Sequence, residues 1–127
     1  PLTPYLAQLL ATLPRVGPYV FASTGKAGRI VDARASHDQV LEHAQVKHLT
    51  FHGLRRTFIR QGRNIAPLGV PAQMAGHTPS AVADGYAILP MDELRPHAER
   101  VEAHILSLAG VQFDAQAEPG ALRVVAG

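Results

Sequence analysis

Phe51-His52-Gly53-Leu54-Arg55-Arg56-Thr57-Phe58 is the stretch on which the reading of this chain turns. Its apolar members, Phe51, Leu54 and Phe58, fall at i, i+3 and i+7, the spacing of one helix face. Thr50 stands just before them as a candidate N-cap. The spacing therefore predicts a helix from about Phe51 to Arg63, with that stripe against the core. His52, Arg55 and Arg56 lie three and four apart and share a different face. An imidazole and a guanidinium are thereby presented side by side. The planar fork of Arg55 matches two non-bridging phosphate oxygens. His52 can donate, accept or move a proton near neutral pH. Such a pair suits a phosphodiester whose charge grows during in-line attack. Taken alone, a short His-x-x-Arg more often belongs to an idle surface.

The charge pattern around this helix is lopsided. The 127 residues carry a net charge of only +2, but no acid occurs between Glu42 and Asp84. Inside that gap lie Lys47, Arg55, Arg56, Arg60 and Arg63, with His48, His52 and His77. A cationic run without acids attracts polyanions, although charge runs are also common on plain solvated faces.

Helical patterns continue on both sides. Thr3-Pro4 opens a helix carrying Leu6, Leu9, Leu10 and Leu13, stopped by Pro14 and Gly17-Pro18. Tyr19-Val20-Phe21 reads as a short buried extended piece, and Ile30-Val31 as a brief strand at most. Ser36 starts a second helix with Val40, Leu41 and Ala44 inward. Pro71 opens a short helix ending at Gly76, a left-handed C-cap. Thr78-Pro79 starts a small Ala-rich helix through Tyr86. The last helix carries Leu94, Ala98, Val101, Ile105 and Leu108 and ends at Gly110, with its start blurred by Pro96. Residues 111–127 form a tail, flexible or docking on another molecule. The expected fold class is mainly α, with at most a short strand or two.

Composition narrows the class further. The chain is 46% hydrophobic and 17% charged, enough for one domain with a core. The absence of cysteine excludes a disulfide scaffold, a thiol nucleophile and a thiolate zinc site. No apolar run approaches the roughly 20 residues of a membrane helix. His48 and His52 are the one favourably spaced histidine pair, and they abut Arg55, so a metal site is not expected. The start at Pro1, without Met, reads as that of a fragment, and the compartment expected is the cytoplasm.

Two further residues complete the constellation. His77 stands between a helix stop and a helix start, where two fixed backbones can aim it into a cleft. Tyr86 follows nine residues later, and His77 itself comes 22 after Arg55. A phenol ionises near pH 10 and attacks poorly unless neighbours draw off its proton. Each of these residues also has an ordinary reading, as a loop polar group and a half-buried tyrosine.

In order and spacing the set resembles the tyrosine recombinases, or phage integrases. The words are His52-Gly53-Leu54-Arg55-Arg56-Thr57, then Ala75-Gly76-His77, then Tyr86. The family writes them as His-x-Leu-Arg-Arg/His-Thr, Leu-Gly-His and Tyr at about these gaps. Pro1-Leu2-Thr3 and Tyr19-Val20-Phe21 also resemble family segments, so the likeness covers roughly residues 1–108.

The resemblance implies roles. Arg55 would be the second catalytic arginine, His52 a proton-transfer partner, and His77 a ligand of a non-bridging oxygen. Tyr86 would be the nucleophile that forms a 3′-phosphotyrosyl link. No cofactor is implied, because the link conserves bond energy and arginines stabilise the charge. Double-stranded DNA is the implied partner, with Lys47, Arg56 and Arg60 as backbone contacts, together with other protomers, as a tetramer on DNA. The family's first catalytic arginine and its hairpin lysine have no counterpart within residues 1–127, so this portion alone is expected to be nearly inactive. Val82-Ala83 and Ile88 also depart from common family residues. A non-catalytic DNA-binding module and an inactive prophage remnant are the alternatives. On this reading residues 1–110 are the C-terminal part of the catalytic domain and 111–127 its tail.

Overall fold

The computed structural model describes residues 1–77 and 88–115. It contains α1 (Pro4–Ala11), α2 (Arg34–His43), α3 (Phe51–Gly62), α4 (Val70–Met74) and α5 (Met91–Leu108). Among the described residues the β-type pairing is a single antiparallel bridge between Ala22 and Arg29. The chain is mainly α, as the periodicities predict. The helix expected between Thr78 and Tyr86 lies outside the described residues.

The helix starts follow from local chemistry. At α3 the Gly53 N–H donates to Thr50 Oγ1 at 2.9 Å, so Thr50 caps as expected. At α1 Pro4 occupies the first turn, but Thr3 does not cap through its own side chain. The Glu102 carboxylate of α5 accepts the Tyr5 and Leu6 N–H groups, at 3.0 and 3.2 Å, and the Thr3 hydroxyl. A charged acceptor at a helix N-terminus outcompetes a neutral hydroxyl. Before α2, Asp32 accepts the Arg34 N–H at 2.9 Å and pairs with its guanidinium at 2.6 Å. The Arg34 side-chain hydrogen bond, then its backbone N–H, holds the Asp32 carboxyl below its ordinary value.

Three helices end in one motif. After α2, α4 and α5 a residue takes positive φ: Gln45 at 55°, Gly76 at 76° and Gly110 at 66°. The following N–H then reaches back: Val46 to the Leu41 carbonyl, His77 to Ala72 and Val111 to Leu106, each at 2.9 Å. This pairing satisfies carbonyls that a helix end leaves open. Pro96 is accommodated inside α5, on an exposed part of its early turns.

α3, α4 and α5 pack on one another. Ala66, Val70 and Leu94 form the buried centre, with Met74 and Leu89 against it. Ala98 and Val101 are buried further along α5, Val101 completely. Gly62 admits the close approach of α4, since a Cβ there would lie 2.9 Å from the Pro71 ring. His37 Nε2 donates to the Leu49 carbonyl at 2.6 Å, tying α2 to the start of α3.

Several inward expectations are corrected. Phe51 and Leu54 are 52% and 44% exposed, and Val40 is 62% exposed. Ala44 and the Tyr19-Val20-Phe21 segment are exposed as well. Periodicity marks which residues share a stripe, not whether another element covers it. The buried part of α3 is its C-terminal end, at Gly62.

Candidate active site

Arg55 projects from the second turn of α3, and its Nη2 donates to the Ala75 carbonyl at the end of α4. A Cβ on Gly76 would stand 3.1 Å from that nitrogen. Glycine at 76 thus supplies both the positive φ of the helix stop and the space for the guanidinium. The helix-stop turn and the arginine are fitted to each other.

His77 follows directly, with its backbone fixed by the bond to Ala72. It lines a groove of about 580 Å³ together with Arg56, Thr57, Arg60, Arg63 and Ala72. Among the described residues, no acidic residue lines this groove. Arg56, Arg60 and Arg63 are exposed and have no hydrogen bond or ion pair among the described residues. Three guanidinium groups around one concavity focus a positive potential there.

The other sequence candidates are placed differently. His52 is exposed, three residues before Arg55 on α3, and does not line the groove. Lys47 is exposed in the α2–α3 connection, also off the groove. Tyr86 lies outside the described residues. Leu89, three residues later in the chain, is pinned to α4: the Gln73 amide donates to its carbonyl at 2.7 Å and accepts its N–H at 3.2 Å. Arg63 is the groove residue that the sequence reading did not single out. Its signal was the i, i+4, i+7 spacing of Arg56, Arg60 and Arg63, which puts all three on one helix row. Among the described residues no group of three or more His, Cys, Asp or Glu could hold a metal ion.

No family model matches the chain, and no solved structure matches it. The chain is 38% identical over 120 residues to the prophage integrase IntF of Escherichia coli (strain K12). The matched stretch takes in 87% of this chain and 26% of that protein, so the chain spans about a quarter of the curated relative's length. This identity relates the chain to the integrases of the tyrosine recombinase family.

Proposed function

We propose that this chain is the C-terminal part of the catalytic domain of a site-specific DNA recombinase. The observation that carries the reading is the docking of Arg55 on the Ala75–Gly76 turn, next to His77 and a groove of unpaired arginines. A guanidinium already oriented by a backbone carbonyl has less freedom to lose when it grips phosphate oxygens.

In this scheme Arg55 and His77 hold the non-bridging oxygens of one phosphodiester and stabilise the charge that develops there. His52 exchanges a proton with the reacting oxygens. Tyr86 Oη attacks phosphorus. The new O–P bond forms as the bond to the 5′ oxygen breaks. The phenol loses its proton, and the departing oxygen takes one up as a 5′-hydroxyl. A 3′-phosphotyrosyl link remains, and a 5′-hydroxyl from another strand reverses the step. Other protomers take part in this scheme, as a tetramer on DNA.

A nicked duplex that traps the covalent intermediate tests this in the protein that carries the chain. The wild type forms a protein–DNA adduct that survives denaturation, and Tyr86→Phe forms none. Arg55→Ala slows adduct formation by about 10²–10³-fold, the size of one lost charge-stabilising donor. Adduct formation unchanged by Tyr86→Phe would leave DNA binding as the function of these residues.

A further inference from the structure

We infer that His37 is a positioning residue of the recombinase site: through the Leu49 carbonyl and the Phe51 ring it sets the first turn of α3, and with it His52. This role rests on the recombinase reading, which makes His52 a proton carrier. His37 stands on α2 and is half-buried. Its ring lies against that of Phe51, with centroids 4.4 Å apart and planes inclined at 33°. Its Nε2 is 2.6 Å from the Leu49 carbonyl oxygen. A carbonyl oxygen only accepts, so this nitrogen carries the proton. The two contacts bracket Thr50, the cap of α3. One fixes the peptide that enters the cap, and the other fixes the side chain that follows it. Leu49 in turn lies over the helix start, since a Cβ on Gly53 would stand 3.0 Å from Leu49 Cδ1.

His52 sits next to this bracket, between Phe51 and Gly53. Its ring makes no hydrogen bond among the described residues, so its place follows from the backbone of the first turn. Arg55 is held otherwise, in the second turn and with its own seat on the Ala75 carbonyl. A helix start is open to fraying, because its first N–H groups have no partners within the helix. Fraying there moves His52 and leaves Arg55 in place. Little else holds α2 to α3. No residue of α2 is buried. Among the described residues, His37 makes the one side-chain hydrogen bond from α2 to another part of the chain. Its contacts therefore serve the start of α3 and not the buried centre at Ala66, Val70 and Leu94.

The test is a double-mutant cycle between His37 and His52 in the protein that carries the chain, read as the rate of adduct formation on the nicked duplex. His37→Phe keeps a ring against Phe51 and loses the donor, whereas His37→Gln keeps an N–H for the Leu49 carbonyl. His52→Ala should slow the adduct by about 10²-fold or more, the size of a lost proton-transfer group. His37→Phe should slow it about tenfold, since small misplacements of a reacting group are costly. His37→Gln should restore most of that rate. His37→Phe added to His52→Ala should slow the reaction no further, because the two act through one group. All variants should keep the wild-type helical circular dichroism. An equal further loss on top of His52→Ala overturns the assignment, as does His37→Gln as slow as His37→Phe. A wild-type rate in His37→Phe or in His52→Ala overturns it too. Loss of helical signal in His37→Phe would make His37 a residue of stability and likewise overturns it. An adduct that Tyr86→Phe does not abolish overturns the recombinase reading itself, an outcome separate from all of these.

Discussion

Gly76 is where backbone conformation and site chemistry meet. A side chain there is strained by the φ of 76° and also meets Arg55 Nη2 at 3.1 Å. Alanine in the left-handed region costs roughly 1–2 kcal/mol, whereas asparagine tolerates it better. Both introduce the same Cβ. Gly76→Ala should therefore lower thermal stability more than Gly76→Asn, while both slow covalent adduct formation by about tenfold, since small misplacements of a clamping group are costly. Equal activity in wild type and both variants would show that Arg55 does not need its present seat. Half of this was legible in the chain. A glycine after a short apolar run announces a helix stop, because few residues accept positive φ. The partner of that stop was not legible, because Arg55 lies 20 residues away in sequence and nothing local signals the contact. Arg63 belongs to the basic run read from the chain but stood apart from the candidate contacts for another reason: a row of like residues acquires meaning once a concavity is seen beneath it.

The pairing of α3 with α4 decides a substitution whose sign helix propensity would get wrong. Gly62 is helical, and alanine is favoured over glycine there by about 1 kcal/mol. Its Cβ, however, would press to 2.9 Å against two atoms of the Pro71 ring and to 3.5 Å against Val101. A buried proline ring has no flexible end to give way, and overpacking a core costs typically 1–3 kcal/mol. Gly62→Ala should thus destabilise the protein, read as a lower midpoint in chemical denaturation. A raised midpoint would mean that α4 slides freely on α3. Helix positions were legible from periodicity, caps and stops, and Pro4, Thr50 and Gly110 all mark real boundaries. The covered faces were not. Phe51 and Leu54 form a regular stripe, yet both are largely exposed, since burial depends on which element arrives from elsewhere.

Glu102 joins two distant parts of the chain, and the carboxylate takes the place of a cap that Thr3 alone would make. The hydroxyl of Thr3 and two N–H groups at the start of α1 converge on it. Tyr5 and Phe113 add an edge-to-face ring contact with centroids 5.4 Å apart, and Arg95 donates to the Leu2 carbonyl at 3.2 Å. Polar contacts of this kind matter because the apolar grip of α1 is thin: Leu6 and Leu9 are exposed, and no residue of α1 is buried. Nothing in the residues near Thr3 could reveal an acceptor 99 positions away. Glu102→Gln keeps one oxygen acceptor but replaces the other with an amide nitrogen that cannot accept. A donor at the α1 start then loses its partner, and so does the charge that complements the helix N-terminus, together about 1–3 kcal/mol. The loss should be local. Amide hydrogens of residues 7–11 should exchange about tenfold faster or more, while those of α3 and α5 near Val101 keep most of their protection. Uniform acceleration across α1, α3 and α5 would instead mean that the α1 attachment is part of one cooperative unit with the small core, and that Glu102 supports the platform on which Arg55 stands.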